Sequence, residues 1–259
     1  MRLKEYILNF DPCEEMRLTH ITTLSGFRGI VSNGSLVPAR CKVFNDDFLY
    51  LFLGRPAYRA TTFSSSSLTW NIPIGFVFKE DAIHSIERIH PFDTGAFHEQ
   101  RYRRTFPPEA HLNDFDIGCD IEDAKRYVTA FYGGAFQYLR SRPSSESNFS
   151  NFDFELRGLS ELARRPAGGD AVTGGNDERA STVEIQIRQE LSINNCVDAI
   201  IVPDIILQEP LFVNAVKDWS LKLSQILIYT NIIGPTAEAW VGQFYQRLID
   251  YYEKDGPQL

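Results

Sequence analysis

Several features that assign a chain to a common class of protein are missing from this sequence. The 259 residues include four cysteines that are far apart and form no CxxC pair, namely Cys13, Cys41, Cys119 and Cys196. Neither a zinc site nor a disulfide framework is therefore expected, and the predicted compartment is the reducing cytoplasm. No apolar run approaches the roughly 18 to 20 residues that span a bilayer. The N-terminus also lacks the apolar core and cleavage site of a signal peptide, so we expect no membrane partner.

Positive charge and the common catalytic motifs are also scarce. Lys and Arg number 26 against 34 Asp and Glu, which gives a formal net charge of -8. This balance argues against an extended basic surface for nucleic acid. No GxSxG, HExxH, GxGxxG or phosphate loop ending in GKS or GKT occurs. The hydrolase, metalloprotease and nucleotide-fold classes therefore lack support, and no metal is expected.

What the chain does contain is a mixture of alternating and helical apolar patterns, which predicts strands and helices in one unit. Expected strands lie at residues 16–21, 46–53, 72–78, 181–188, 197–202 and 226–229. Expected helices lie between Thr22 or Thr23 and Gly34, over 120–140, over about 152–164, and along a C-terminal stripe of Trp240, Phe244, Leu248 and Tyr252. We therefore predict one domain over residues 1–259.

Three segments carry no regular pattern. From 143 to 180 the composition shifts towards Ser, Gly, Asn, Asp and Arg. Apart from the expected short helix, we predict a mobile loop or insertion there, before the strand that carries Glu184. The run from His90 to Phe97 has no periodicity and is predicted to be a tight loop. The run EQRYRR at 99–104 is the one dense basic cluster. We expect a solvated turn there, and the alternative is that its arginines contact phosphates.

The stretch 46–60, DDFLYLFLGRPAYRA, combines a strand with an abrupt turn. Its apolar run stops at Gly54-Arg55-Pro56, and proline suits the first turn of a helix because its missing N–H is not needed there. We expect a buried strand that turns directly into a helix. Tyr50 and Tyr58 then lie on either side of the turn.

Four residues have side chains suited to chemistry, namely His20, Tyr50, Tyr58 and Glu184. Each has an ordinary structural interpretation when it is taken alone. A histidine at a strand end is usually a hydrogen-bonded structural residue, and a tyrosine is usually a core aromatic whose hydroxyl finds a partner. A glutamate on the polar face of a strand is usually solvated.

The order of these residues resembles that of a known superfamily. The run LTHITTLSGFRGIVSNGSLVP, followed by FLYLFLGRPAYRA, resembles the start of ADP-ribosyltransferase domains of the His–Tyr–Glu type. DarT-like transferases are the most similar group. Their opening motif is similar to His20-Ile21-Thr22, their middle loop to Phe92-Asp93-Thr94-Gly95-Ala96, and their Glu-bearing strand to residues 179–185. Residues 16–60 and 177–203 carry most of the resemblance.

The resemblance implies a fold and a binding site. The fold would be α+β, a single ADP-ribosyltransferase-like domain with a split, twisted sheet, flanking helices and an NAD cleft. Tyr50 and Tyr58 would enclose the nicotinamide, a planar cation, by stacking and cation–π attraction. His20 would hold the adenosine-side ribose, and Thr22 would lie beside it.

Further roles follow from the same resemblance. Arg55 would pair with the NAD pyrophosphate, and Asp93 would line the site. Glu184 would accept a hydrogen bond from the nicotinamide ribose and stabilise the oxocarbenium-like state that forms as nicotinamide leaves. Glu184, Tyr58 and His20 are the residues that we expect to be catalytic. Thr182 stands where arginine-specific members carry a second glutamate, which argues against arginine as the acceptor.

The implied function is transfer of ADP-ribose from NAD to a protein or nucleic-acid acceptor, as in bacterial toxins or phage-defence effectors. An antitoxin or regulatory partner protein fits such a role. Three alternatives stay open. The enzyme could be an NAD glycohydrolase with water as acceptor, or the fold could be a non-catalytic module that binds ADP-ribose or a partner through 143–180. The aromatic residues could also simply build the core of an interaction protein.

Overall fold

A mixed, twisted sheet forms the centre of the molecule, and helices cover both of its faces. The computed structural model describes residues 2–55, 57, 69–144, 149–164, 178–231 and 237–254. Within these residues the sheet has eight strands, in the order β10-β9-β5-β1-β4-β7-β6, with β3 paired to β4. Neighbouring strands are antiparallel except β9 and β10, which are parallel. The described residues therefore build one mixed α/β unit.

The strands lie close to the predicted positions. They are β1 (Leu18–Thr23), β2 (Ser35–Leu36), β3 (Ala39–Cys41), β4 (Asp46–Leu53), β5 (Pro73–Phe78), β6 (Arg88–His90), β7 (Glu184–Ile187), β8 (Leu191–Ser192), β9 (Val197–Pro203) and β10 (Ile226–Tyr229). The two short strands β2 and β8 pair only with each other. All six expected strands are present, and β2, β3, β6 and β8 are additional.

The helices of the described residues surround this sheet. They are α1 (Leu3–Ile7), α2 (Leu24–Asn33), α3 (Thr94–His98), α4 (Ile121–Tyr132), α5 (Ala135–Leu139), α6 (Phe154–Arg164), α7 (Ile193–Cys196), α8 (Pro210–Asp218) and α9 (Ala237–Lys254). Thr23 caps α2 by accepting a hydrogen bond from the Gly26 amide, and Gly34 ends this helix with a positive φ of 72°. Both signals are those expected of a helix start and a helix end.

Two predictions about local structure are wrong. The segment 120–140 is two helices rather than one, because Gly133 and Gly134 adopt φ values of 79° and 139° that end α4 and redirect the chain. The segment 90–97 is not a simple loop. His90 ends β6, and the Asp93 carboxylate caps α3 by accepting a hydrogen bond from the Ala96 amide at 2.6 Å.

The contact between β1 and β4 is unusually short. β1 pairs with β5 over six positions, from Leu18–Phe78 to Thr23–Pro73. It pairs with β4 only at Leu18–Leu53 and Thr19–Phe52. Beyond Thr19 the two strands separate, although β4 remains paired with β7 on its other side. The middle of the sheet therefore opens into a cleft.

The C-terminal helix covers one face of the sheet. Its predicted apolar stripe is confirmed, since Trp240, Phe244, Leu248 and Tyr252 are all buried. They pack with residues of β5, β9 and β10, including Val77, Ala199, Ile201 and Tyr229. On the opposite face, Phe27 of α2 contacts Phe76 of β5 and Trp219.

The expected helix within 143–180 is present as α6, whose residues Leu156, Leu159 and Leu162 are buried in the main core. The rest of that segment falls largely outside the described residues. Within the part of the chain that the structure describes, no helix combines the length and the apolar character needed to cross a membrane.

Candidate active site

The cleft between β1 and β4 holds a cavity of about 370 Å³. It is lined by residues of β1, β4, α3 and β7 and of the segments next to them, namely His20, Ile21, Tyr50, Phe52, Ala57, Asp93, Gly95 and Glu184. A cavity of this volume lies within the range of small-molecule sites. The structure therefore brings four of the predicted site residues, His20, Tyr50, Asp93 and Glu184, to one place.

His20 spans the opening of the sheet. Its Nδ1 lies 2.9 Å from the carbonyl oxygen of Tyr50, just beyond the last β1–β4 pair. A carbonyl can only accept, so Nδ1 carries the proton. Burial lowers the pKa of His20, which favours the neutral ring and leaves Nε2 as an acceptor. The ring thus lies between the two separating strands and offers the cleft a hydrogen-bond acceptor.

Tyr50 lies on the same face of the sheet as Gln186, because the two are cross-strand partners in β4 and β7. The residue is half-buried and lines the cavity. Burial is the main cause that raises the pKa of its phenol, and the neighbouring Cys41, Glu184 and Asp93 act in the same direction. Tyr50 is therefore a neutral ring at the cleft rather than a residue enclosed in the core.

Glu184 is the first residue of β7 and is only 1% exposed. The alternating pattern predicted a solvated polar face for this strand, and that expectation is wrong. Thr182, Glu184 and Gln186 are all buried, because β4 and β6 flank the strand on both sides and α3 contacts its polar face. Burial, together with the nearby charge of Asp93, raises the pKa of Glu184 to about 8.

Two side chains hold the Glu184 carboxylate in place. The Thr94 hydroxyl donates to Oε1 at 2.8 Å, and the Thr94 amide donates to Oε2 at 3.3 Å. The Gln186 amide donates to Oε1 at 2.7 Å. These hydrogen bonds favour the charged form and so oppose the rise in pKa. The Gln186 Oε1 atom, which is fully buried, has no partner among the described residues.

A second chamber of about 330 Å³ adjoins the first and shares His20 and Tyr50 with it. Thr22 lines this chamber, as do Gly26 and Gly29 of α2 and Ser35 of β2. A Cβ at Gly26 would lie 2.2 Å from the Thr22 hydroxyl, so a larger residue there would force the Thr22 side chain to move. The two chambers form one elongated cleft with His20 and Tyr50 at its waist.

Arg55 does not face this cleft. Its side chain is 1% exposed, and its guanidinium donates to the carbonyl and hydroxyl of Ser181 at 2.9 and 3.1 Å. It also contacts the Tyr245 hydroxyl at 3.3 Å and lies over the ring of Tyr138. The expected contact with a pyrophosphate does not fit this geometry. Arg55 instead joins the turn after β4 to the segment before β7.

Tyr58, the other expected ring of the nicotinamide slot, lies outside the described residues. The same holds for Pro56 and for the helix predicted to begin there. Ala57, the described residue between them, lines the first chamber. The chain that continues from β4 therefore enters the site at this point.

The described lining of the first chamber has a clear electrostatic character. It contains the carboxylates of Asp93 and Glu184 and no Lys or Arg. Two buried carboxylates beside a neutral imidazole and a phenol favour a cationic group, or a group that becomes cationic during a reaction. Among the described residues, no cluster of three or more His, Cys, Asp or Glu side chains has an arrangement suited to a metal ion.

Sequence reasoning missed Thr94 and Gln186. The spacing of Gln186, two residues after Glu184 on one strand, places both on the same face and was a usable signal. Thr94 follows the helix cap Asp93, and its contact with β7 depends on tertiary packing that no local pattern shows.

A mixed α/β unit with a cleft across its sheet is thus the class that the fold defines. In comparisons with known proteins, no family model, no curated protein and no solved structure matches the chain.

Proposed function

We propose that the protein is an NAD-dependent ADP-ribosyltransferase that releases nicotinamide and transfers ADP-ribose to a macromolecular acceptor. The observation that carries the proposal is the buried, hydrogen-bonded Glu184 carboxylate, which shares one cavity with Tyr50, His20 and Asp93. The resemblance of the sequence to His–Tyr–Glu transferases supports the same assignment.

The charge of the first chamber suits the nicotinamide end of NAD. The nicotinamide ring is cationic, and it would lie against Tyr50 with the carboxylates of Glu184 and Asp93 nearby. Its positive charge would lower the pKa of Glu184 and so favour the ionised carboxylate that the reaction needs. NAD binding would then be accompanied by release of a proton.

The second chamber suits the adenosine end. Thr22 supplies a hydroxyl, and the glycines at 26 and 29 leave room beside α2. His20 at the waist offers Nε2 to a ribose hydroxyl. The first turn of α2 carries the positive end of the helix dipole, which favours a phosphate in the absence of an Arg55 contact.

The chemistry follows from Glu184. The bond between the nicotinamide nitrogen and ribose C1′ breaks, and its electron pair leaves with nicotinamide. C1′ becomes oxocarbenium-like, and the Glu184 carboxylate stabilises this positive charge. The lone pair of the acceptor nucleophile then forms the new bond to C1′. A carboxylate of the chamber, Glu184 or Asp93, takes the nucleophile's proton.

The test is incubation of the protein with NAD labelled in the adenylate part, with and without cell lysate. We expect nicotinamide release to depend on an acceptor and label to enter protein or nucleic acid. Fast release with NAD alone would instead identify a glycohydrolase. The absence of nicotinamide release and of any NAD-dependent thermal shift would leave an interaction protein whose aromatic residues build the core.

Glu184→Gln is the decisive variant, because it keeps the shape and removes the charge. We expect nicotinamide release to fall by about 100-fold or more, since charge stabilisation in a buried site is usually a large term. Glu109→Gln is the matched control, since Glu109 is exposed and lines neither chamber. Equal rates of nicotinamide release by Glu184→Gln and Glu109→Gln would show that Glu184 does not catalyse the reaction.

A further inference from the structure

A larger cavity, of about 540 Å³, lies outside the cleft. Phe97, Tyr102, Phe106 and Pro107 form apolar parts of its lining, and Arg103 and Ala110 also line it. It shares no lining residue with either chamber of the cleft. It lies at the C-terminal end of α3, the helix whose first residue, Thr94, holds Glu184.

The aromatic part of the cavity is preformed. Tyr102 and Phe106 are each 6% exposed. Phe97 stacks on Phe92 with centroids 5.5 Å apart and an interplanar angle of 12°, and Phe106 packs against Phe115 at 4.5 Å. These contacts hold the rings in place. Rigid aromatic side chains in the lining of a cavity favour an aromatic ring as the ligand, because contact with them costs little side-chain entropy.

The lining of the cavity also includes a positively charged side chain, that of Arg103. Arg103 is exposed, and among the described residues its side chain has no ion pair or hydrogen bond. Its neighbour Arg101 is engaged by Glu99. In a chain with a net charge of -8, an uncommitted guanidinium at the lining of an aromatic cavity favours an anionic ligand group.

We propose that this cavity is a second ligand site, which binds a molecule that combines a planar aromatic ring with a negatively charged group. A nucleoside monophosphate has this chemistry, and the cavity volume lies in the range of sites for molecules of that kind. The base would lie against Phe97 and Phe106, and the phosphate would pair with Arg103. The site stands apart from the proposed NAD chemistry and does not depend on it.

The test is calorimetric titration of the purified protein with three probes. UMP carries ring and charge, uridine carries the ring alone, and inorganic phosphate carries the charge alone. We expect UMP to bind at least about tenfold more tightly than uridine, and phosphate not to bind measurably. A tenfold difference corresponds to one charge-assisted hydrogen bond.

Arg103→Gln and Arg104→Gln form a matched pair, since both arginines are exposed and only Arg103 lines the cavity. We expect Arg103→Gln to weaken UMP binding about tenfold and Arg104→Gln to leave it unchanged. Ala110→Trp, which fills the cavity, should abolish binding, with circular dichroism to confirm the fold.

Three results would overturn the proposal. An equal loss in both arginine variants would indicate general surface electrostatics. An unchanged affinity in Arg103→Gln would place UMP elsewhere, such as in the cleft. No UMP binding up to millimolar concentration would show that the cavity does not recognise this chemistry. Nicotinamide release by the same variants is measured separately and reports only on the Glu184 site.

Discussion

Glu184 is controlled by two opposing influences at the scale of single residues. Burial and the charge of Asp93 favour the protonated acid, whereas donors from Thr94 and Gln186 favour the carboxylate. The balance makes this residue sensitive to changes in its immediate neighbours. Two predictions follow from that sensitivity.

Thr94→Val removes the hydroxyl donor at 2.8 Å and keeps the volume of the side chain. Because a hydrogen bond to a charged group contributes about 1.5–3 kcal/mol, we expect the pKa of Glu184 to rise further. The pH at which nicotinamide release is half-maximal should move upward by about one unit or more. A pH profile of kcat/KM measures this shift. Thr129→Val, which makes the same change on α4, should not move the profile.

The raised pKa of Glu184 also makes stability depend on pH. The folded protein retains a proton up to a pKa of about 8, whereas the unfolded chain releases it near the ordinary value of 4.5. The retained proton therefore contributes fully to the free energy of unfolding below pH 4.5. That contribution is lost as the pH rises to about 8.

Glu184→Gln cannot titrate, so its stability relative to the wild type should increase between pH 5 and pH 8.5. Each kcal/mol corresponds to about 2–4 °C in Tm for a chain of this size, and we expect a difference of several degrees. Thermal unfolding at both pH values measures it. A difference that stays constant with pH would mean that Glu184 is ionised in the folded protein.

At the scale of elements, the buried guanidinium of Arg55 links β4 to the segment that precedes β7. The Tyr138 hydroxyl makes a second link, since it donates to the Leu53 carbonyl and accepts from the Val183 amide, each at 3.0 Å. These links fix the position of the strand that presents Glu184.

Arg55→Leu should lower the free energy of unfolding by about 3 kcal/mol or more, because it leaves several buried partners unsatisfied. Urea unfolding measures the loss. Arg40→Leu, at an exposed arginine whose ion pair is 3.8 Å long, should cost less than about 1 kcal/mol. Should Arg55→Leu keep its stability and raise only the KM for NAD, the pyrophosphate role would be restored.

Local sequence patterns predicted most of the helices and strands that form the sheet and the cleft. The alternation over 181–188 identified β7, and the capping signals at Thr23 and Gly34 located α2. The same patterns did not show that the polar face of β7 is buried, since that depends on β4, β6 and α3. They also missed β6, whose three residues are too few for a periodic signal.

At the scale of the whole molecule, α9 packs so closely against the sheet that no side chain fits between them at residue 75. Gly75 of β5 lies directly beneath it, and a Cβ at this position would be 2.3 Å from the Cζ atom of Phe244. The absence of a side chain at residue 75 therefore sets how closely the helix approaches the sheet.

Gly75→Ala should lower stability by about 1–3 kcal/mol through overpacking. Adding Phe244→Leu makes space, so the double variant should be less destabilised than the sum of the two single variants. A double-mutant cycle from urea unfolding measures this coupling. Strict additivity would show that the helix can move away without cost.

The resemblance to a known superfamily predicted which distant residues meet, and His20, Tyr50, Asp93 and Glu184 do line one cavity. It did not predict the orientation of Arg55, because a side chain's direction at a turn depends on what packs around it. Composition and periodicity alone could not have joined residue 20 to residue 184.

The short pairing of β1 with β4 divides the sheet into halves that are not continuous in sequence. The chain crosses the division from β1 to β4, from β4 to β5, from β5 to β6 and from β7 to β9. During synthesis, neither half can therefore be completed before residues near 187 have left the ribosome. Such non-local pairing also slows folding. A nascent chain that ends before β7 therefore lacks the cleft, because β7 supplies Glu184.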